Sequence, residues 1–480
     1  MSSVTLYWHD YETFGADPRR DRPAQFAGLR TDTDFNPVGE ALVLYCQPAR
    51  DVLPVPEARL ITGITPQQAL ARGMPEAHFI ARIHGELIRP GTCALGYNTL
   101  RFDDEVTRHT LYRNFFDAYE REWRNGNSRW DIIDMVRATA ALRPDGMVWP
   151  VDESGRPSFR LERLTAANGI GHEGAHDALA DVRATIELAR RIRRCQPRLY
   201  DFLWRHRDKH SARQLLQLGG FEPVLHVSEK FSAERHCLAL VVALARHPTN
   251  SNGIIVFDLA ADPEPLLELT ADEIRRRLYT RADQLPAGSE RIPLKTVHLN
   301  RAPVLAPLSV LRPADAERLA LDLATCRSRA SSLRQAQGLA AKLAEVFSTP
   351  PPEPLDGRDP DLMLYGGGFF SDADRHRIAR IRELSPSQLR SLAVPFEDPR
   401  LPEMLFRYRA RNFPESLDPE ERERWEQQRR RRLTETGAGA SIVLEQFQAS
   451  IARLLADPEL NPQGRTVLEE LRSYALEVID

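Results

Sequence analysis

Short apolar runs alternate with helix-like stretches up to about residue 198 of the chain. Three of the runs, Val4–Trp8, Ala41–Cys46 and Cys93–Tyr97, have the length and the β-branched or aromatic content of strands. Helical periodicity is found in four stretches: Glu76–Ile88, Asp104–Arg113, Ile132–Leu142 and Asp177–Arg194. This alternation predicts an α/β domain with a mixed sheet.

The pattern changes after Pro197. Four short apolar runs separated by turn-forming stretches predict a small β-rich domain: Val224–Val227, Leu238–Leu244, Ile254–Leu259 and Thr296–Leu299. Helical periodicity returns from Pro313, and Thr349–Pro360 has the proline-rich composition of a linker. The charged sequence that follows predicts helices only. Because 480 residues are too many for one ordinary core, we expect three domains, at 1–198, 199–350 and 351–480.

Composition excludes several classes of protein. Hydrophobic residues make up 42% and charged residues 28%, which is typical of a soluble globular protein, and no apolar run is long enough to cross a membrane. Five cysteines without CxxC spacing fit neither a disulfide framework nor a zinc knuckle. The N-terminus lacks the pattern of a secretory signal, so we expect a cytoplasmic protein.

Arginine dominates the basic residues, although the net charge is only −3. Its planar guanidinium can bind two phosphate oxygens at once, but a general arginine bias also follows from a GC-rich genome. One cluster combines arginines with aromatics: Phe406, Arg407, Tyr408, Arg409, Arg411 and Phe413. Such a cluster can hold single-stranded nucleic acid by base stacking and backbone contacts. The alternative is a helix with its aromatics in the core and its arginines on the surface.

Asp10 and Glu12 follow the first predicted strand. Residues two apart on a strand point to the same face, so the two carboxylates repel each other unless a cation lies between them. Mg²⁺ and Mn²⁺ prefer such oxygen ligands. A solvated acidic pair is the alternative.

Asp103 stands where a helix is predicted to begin, a few residues after the strand that ends near Asn98. An acidic residue at this position can be a ligand, or it can be an ordinary helix cap that suits the helix dipole.

His176 and Asp181 flank the start of the last predicted helix of this domain. If both were helical they would lie about 140° apart around the helix axis. We therefore place His176 on the preceding loop, over a metal site that Asp181 helps to form. A structural role for a lone histidine before a helix is the alternative.

Together and in this order, the three motifs D-x-E, N-x-x-x-F-D and H-x-x-x-x-D resemble those of the DEDDh class of 3′→5′ exonucleases. Five further segments are similar to the bacterial exonuclease I family within this class: His9–Gly15, Arg101–Arg108, Leu311–Pro313, Phe369–Arg375 and Tyr408–Pro414. The resemblance spans nearly the whole chain. It implies an α/β ribonuclease H-like nuclease domain, a small SH3-like β-rich domain and a C-terminal all-helical domain that closes around DNA.

The resemblance also implies an activity. The chain would hydrolyse single-stranded DNA from its 3′ end to 5′-mononucleotides with two Mg²⁺ ions, for which Mn²⁺ can substitute. Asp10, Glu12 and Asp181 would hold one ion, Asp10 would be shared with the second, and Asp103 would support the second directly or through water. His176 would be the general base, since its usual pKa lies near neutrality. The implied setting is DNA repair and recombination, with the protein acting as a monomer.

Contacts with substrate and partner follow from the same resemblance. The residues expected to touch the nucleic acid are Glu12, Thr13, Phe14, Arg160, Tyr408 and Arg411. The acidic C-terminal tail of single-stranded DNA-binding protein is expected to dock at Arg143 and Arg334, although Glu222 stands where a basic residue would be expected.

Two other functions are weighed against this one. A DNA-binding scaffold with an inactive nuclease fold has no need to keep four carboxylates and a histidine. The other is a proofreading or RNA-trimming exonuclease of the same superfamily, and the match that continues after residue 199 speaks against a proofreading subunit, which would usually stop after the nuclease domain. The choice between DNA and RNA depends on contacts to the 2′-hydroxyl, which the motifs do not place.

Overall fold

The computed structural model describes residues 4–174, 176–348 and 359–479, and these form two compact units. The first unit draws its described residues from Met1–Ser128, Glu173–Arg183 and Glu353–Asp480. The second draws them from Arg129–His172 and Ala184–Pro352. None of the helices in the described ranges has the length and apolarity needed to cross a membrane. The five cysteines all lie in these ranges and form no disulfide.

A five-stranded mixed sheet is built from the N-terminal part of the chain. Its strands are β1 (Thr5–Thr13), β2 (Pro23–Thr31), β3 (Leu42–Tyr45), β4 (Thr92–Gly96) and β5 (Ser128–Asp131), in the order β3-β2-β1-β4-β5. The central strand β1 is antiparallel to β2 and parallel to β4. The mixed sheet predicted from the alternating pattern is confirmed.

Seven helices accompany this part of the chain. They are α1 (Pro56–Thr62), α2 (Pro66–Arg72), α3 (Glu76–Leu87), α4 (Asp103–Arg113), α5 (Ile132–Leu142), α6 (Leu161–Ala167) and α7 (Ala178–Cys195). Helix α3 buries Phe79, Ile80, Ile83 and Leu87, whose spacing places them on one face. That face packs in the same hydrophobic cluster as Phe26 of β2, so the α/β character follows from amphipathic helices covering the sheet.

The second unit contains the predicted β-rich segment. Its strands are β6 (Val224–Val227), β7 (Leu238–Arg246), β8 (Gly253–Asp258), β9 (Leu294–His298) and β10 (Val304–Pro307), all antiparallel in the order β10-β6-β7-β8-β9. Its further helices are α8 (Pro197–Arg205), α9 (Lys209–Leu215), α10 (Glu264–Glu268), α11 (Ala271–Tyr279), α12 (Pro313–Arg318), α13 (Leu323–Gln335) and α14 (Leu339–Ser348). The four runs predicted as strands all form strands.

The C-terminal part is helical, as predicted. Its helices are α15 (Asp372–Ile381), α16 (Pro386–Arg390), α17 (Leu401–Asn412), α18 (Pro419–Thr434), α19 (Leu444–Leu455) and α20 (Pro462–Ile479). They share apolar cores with the N-terminal segment of the first unit: Leu53 packs with Phe447 and Leu471. Of the predicted linker Thr349–Pro360, residues 349–358 lie outside the described residues.

Strand β2 was not predicted from the sequence. It begins with a proline and contains Gly28 and two alanines, residue types that are uncommon in strands. Pairing with β1 over its whole length stabilises it, and Gly28 leaves room for the ring of Tyr7, which a Cβ at that position would overlap. The strand therefore depends on its neighbour more than on its own propensity.

Candidate active site

Strand β1 carries Asp10 and Glu12 on one face. Their cross-strand neighbours on β2 are Ala27 and Gln25. Asp10 is half-buried, whereas Glu12 is only 8% exposed. The strand runs to Thr13, further than the run that ends at Trp8 in the sequence analysis, so both acids lie within it.

Asp103 is the first residue of α4 and is 3% exposed. Its Oδ1 accepts a hydrogen bond of 3.0 Å from the backbone N–H of Tyr11, the residue between Asp10 and Glu12. Parallel pairing with β1 aligns β4, and a turn with Asn98 at φ 65° then leads into α4. The sheet thus brings the second motif to the first.

His176 and Asp181 complete the cluster. His176 precedes α7 with a left-handed backbone, at φ 71°, so its predicted position on the loop is confirmed. One ligand atom from each of Glu12, His176 and Asp181 lies within 4.8 Å of the others. Residues far apart in sequence are therefore close enough to share one cation.

Asp177 caps α7, a role that the sequence analysis did not assign. Its Oδ1 accepts hydrogen bonds from the backbone N–H groups of Leu179, at 3.1 Å, and Ala180, at 3.3 Å. An aspartate directly before a helix is a recognisable capping signal. The predicted helix began at Asp177, one residue too early, so Asp177 was counted as part of the helix and not as its cap.

Burial and mutual repulsion raise the pKa values of two acids in the cluster. Burial raises the pKa of Asp10 well above its usual range, and Asp103, Glu12 and Asp181 raise it further. Burial and then Asp181 raise the pKa of Glu12 to about 8, while Arg59 acts in the opposite direction. A divalent cation would relieve this repulsion.

Arg59 supports the end of β1 from inside the protein and was not found from the sequence. Its buried guanidinium donates to the carbonyl oxygen of Thr13 and, at 3.2 Å, to that of Ile64. It also lies 5.2 Å from the ring centre of Phe14. The sequence does not indicate the role of Arg59, because it belongs to no motif and the chain contains many arginines.

The side chains of Thr13 and Phe14, two residues expected to touch the nucleic acid, contact other parts of the protein. The Thr13 hydroxyl donates to the carbonyl oxygen of Gly15 at 2.6 Å, and the ring of Phe14 is buried against Ala24 and Ile64. Both side chains stabilise the turn after β1. The contact of Thr13 and Phe14 with the nucleic acid stays a prediction.

Tyr408 and Arg411, which were predicted to hold the strand, have buried side chains in this structure. Tyr408, on α17, is 4% exposed and its ring packs 5.0 Å from that of Phe115. The guanidinium of Arg411 is buried between Asp51, at 2.7 Å, and Asp361, at 2.8 Å. The alternative, with core aromatics and surface arginines, holds for Tyr408 but not for Arg411, which forms its ion pairs in the interior.

A cleft with exposed aromatics lies elsewhere in the first unit. Phe369 is 80% exposed and Trp123 is 67% exposed. Both line a cavity of about 430 Å³ together with Tyr119 and Arg382. The Phe369 ring lies 6.1 Å from that of Tyr119. Solvent-exposed rings of this kind can stack on bases, and isolated aromatics in a sequence give no sign of such exposure.

The remaining predicted contacts lie in the second unit. Arg160 is exposed at the N-terminus of α6. Arg143 is a quarter exposed, and it donates to the carbonyl oxygen of Val310 at 3.0 Å and pairs with Asp315 at 3.5 Å. Arg334 is exposed on α13.

Family models match the chain in three consecutive parts. A model described as exonuclease matches residues 7–189, one described as exonuclease I SH3-like domain matches 207–349, and one described as exonuclease I C-terminal domain matches 358–478. The fold class expected from the sequence, an α/β nuclease domain followed by an SH3-like and a helical domain, is confirmed.

Known proteins resemble the chain over its whole length. Exodeoxyribonuclease I of Escherichia coli is 46% identical over 476 residues, which is 99% of this chain and 98% of that protein. The structure of a moderately thermophilic exonuclease I from Methylocaldum szegediense is 60% identical with a TM-score of 0.95, covering 99% of this chain and 100% of that one. The E. coli exonuclease I structure in complex with a dA16 oligonucleotide is 46% identical, also with a TM-score of 0.95 and the same coverage. The chain belongs to the exodeoxyribonuclease I family of enzymes.

Proposed function

We propose that the chain removes nucleotides from the 3′ end of single-stranded DNA and releases 5′-mononucleotides. The observation that carries this proposal is the cluster of Glu12, His176 and Asp181, with Asp10 and Asp103 beside it. The E. coli enzyme crystallised with a dA16 oligonucleotide supports single-stranded DNA as the substrate. The complete cluster argues against an inactive scaffold.

The donor set fits Mg²⁺. Carboxylate oxygens are its preferred protein ligands, and the raised pKa of Asp10 shows acids held together at a cost that a cation offsets. Asp10, Glu12 and Asp181 would hold one ion, and Asp10 and Asp103 a second, with Mn²⁺ able to replace either. When bound, the ions would supply positive charge to the entering and leaving oxygens of the displacement.

His176 is the general base of the proposed reaction. A ring nitrogen of His176 takes the proton from the attacking water, which neutral imidazole does well near physiological pH. The left-handed loop before α7 places the ring beside the carboxylates. Asp177 stabilises the junction between this loop and α7 by accepting hydrogen bonds from the first turn of the helix.

Binding of the strand and of a protein partner is proposed from exposed groups. Trp123 and Phe369 stack bases, and Arg160 contacts a phosphate. The acidic tail of single-stranded DNA-binding protein docks at Arg143 and Arg334. The protein acts as a monomer in the cytoplasm, in DNA repair and recombination. The nuclease domain ends at residue 198, and the SH3-like domain ends at residue 350.

Substitution of Asp10 tests the proposal. Asp10→Ala should abolish Mg²⁺-dependent shortening of 5′-labelled single-stranded oligonucleotides without unfolding the protein, because removing one carboxylate relieves repulsion in the metal-free cluster. Glu445→Gln, an exposed acid on α19, is the matched control and should cleave like the unsubstituted protein. Wild-type activity in folded Asp10→Ala, or activity that persists in EDTA, would refute the metal assignment. Shortening of 3′-labelled strands from the 5′ end would refute the polarity.

A further inference from the structure

Gln25 lies in one row of the sheet with Glu12. It is directly opposite Glu12 of β1 on one side and Tyr45 of β3 on the other. Side chains directly opposite each other in antiparallel strands share a face, so the Gln25 amide projects on the face that carries the acidic cluster. Gln25 is 1% exposed, and a buried amide requires partners for both of its ends.

The partners of this amide connect the sheet to the start of α7. Its Nε2 donates to Asp177 Oδ2 at 3.0 Å and to the Tyr45 hydroxyl oxygen at 2.9 Å. Its Oε1 accepts from the backbone N–H of Ala178 at 3.1 Å. Donor and acceptor ends cannot exchange without losing the bond to Ala178, so one orientation is selected.

Residues on both sides of this contact belong to the proposed site. His176 immediately precedes Asp177, and the backbone N–H of Asp181 donates to the Asp177 carbonyl oxygen at 3.1 Å. The chain before His176 contains Gly171 and Gly174, the latter at φ 83°, and glycines give a loop little rigidity of its own. The Gln25 contacts therefore join the start of α7 to β2, the strand that pairs with β1.

We propose that Gln25 is a positioning residue of the nuclease reaction. Its amide holds the first turn of α7 against β2, so that His176 and Asp181 face Glu12 at the separation that a shared cation requires. This inference rests on the proposed function. Removing a group that orients metal ligands typically costs roughly 10–100-fold in metal affinity or activity.

Gln25→Met tests the inference, because it keeps the length of the side chain and removes all three hydrogen bonds. In the full-length protein without DNA, calorimetric titration with Mn²⁺ should show roughly 10–100-fold weaker binding. Amide hydrogen exchange at Ala178 and Leu179 should become faster in the metal-free protein. On single-stranded DNA, kcat should fall while KM changes little, because strand binding does not depend on this amide.

Asn127→Leu is the matched control. The Asn127 side chain is also a buried amide with three hydrogen bonds, to the backbone of Thr92, Leu87 and Arg121. Its loss should lower the stability of the protein and leave Mn²⁺ affinity unchanged. A purely structural role for Gln25 predicts the same behaviour for both variants.

Unchanged Mn²⁺ affinity and kcat in folded Gln25→Met would overturn the inference. If that variant does not fold, Tyr45→Phe, which removes one hydrogen bond of the same amide, takes its place. A loss of Mn²⁺ affinity in Tyr45→Phe supports the inference, and wild-type affinity overturns it. A wild-type protein that binds no Mn²⁺ would instead refute the proposed metal site.

Discussion

Among single residues, Glu12 has an environment that opposes its ionised form. Its pKa is raised to about 8 by burial and Asp181, whereas the unfolded chain ionises near the ordinary value of 4.5. The folded state therefore binds more protons between these values, and the metal-free protein loses stability as pH rises from about 4.5 to 8. Above pH 8 the burial of ionised Glu12 destabilises the metal-free folded state by its full amount.

Glu12→Gln should therefore stabilise the metal-free protein. In EDTA its Tm should exceed that of the wild type above pH 8, and the difference should shrink towards pH 4.5. Added Mg²⁺ should raise the Tm of the wild type more than that of the variant, because a ligand is missing. A lower Tm for Glu12→Gln at high pH would show that Glu12 is stabilised by contacts that outweigh the repulsion.

His176→Ala separates the role of base from that of ligand. Loss of a general base costs roughly 10²–10⁴-fold in rate, so kcat should fall by this amount while Mn²⁺ binding, measured by calorimetry, persists. His210→Ala, at an exposed histidine on α9, is the control. Because the ring of His176 lies within ligand distance of Glu12 and Asp181, lost Mn²⁺ binding would reassign it as a ligand.

At the scale of elements, the aromatic cleft joins the segment after α4 to the segment before α15. Trp123 comes from the first and Phe369 from the second. Trp123→Ala and Phe369→Ala should each weaken binding of long single strands by about 1–3 kcal/mol, the usual value of a stacked base. Fluorescence anisotropy with labelled oligonucleotides measures this.

The control for the cleft is Leu476→Ala, which removes an exposed apolar side chain from α20. Its affinity for single strands should be that of the wild type. Equal affinities for all three variants would show that the exposed rings do not contact the strand.

At the scale of the whole molecule, buried ion pairs join the C-terminal helices to the N-terminal part of the first unit. Six side chains alternate in charge around a closed ring of contacts from 2.5 to 3.4 Å: Asp51, Arg411, Asp361, Arg407, Asp359 and Arg432. These contacts hold the pKa of Asp51 below its usual range despite its burial. Each buried charge of the ring contacts two charges of opposite sign.

Asp51→Ala should destabilise the protein by about 3–5 kcal/mol, because it leaves Arg411 and Arg432 buried without this partner. Urea unfolding measures the change. Asp272→Ala, which removes an exposed acid from α11, should change the stability little. A loss below about 1 kcal/mol for Asp51→Ala would mean that the ring adds little net stability.

The sequence alone determined the strands, helices and family motifs whose signals are local. Periodicity located α3, α4, α5 and β6 within a residue or so, because each buries one face or one short run against a neighbour. The order of Asp10, Glu12, Asp103, His176 and Asp181 predicted the candidate site through its resemblance to the DEDDh motifs, and the structure brings Glu12, His176 and Asp181 within 4.8 Å of one another.

Only the tertiary structure decided what each side chain faces. The arginine and aromatic residues of α17 have the composition of a strand-binding surface, yet Asp51, more than 350 residues away, turns Arg411 inwards. Gln25 carries no signal of its own, because β2 forms only by pairing with β1 and the partners of the amide come from α7. Burial and hydrogen bonding between distant segments are properties of the folded chain, and residue type does not encode them locally.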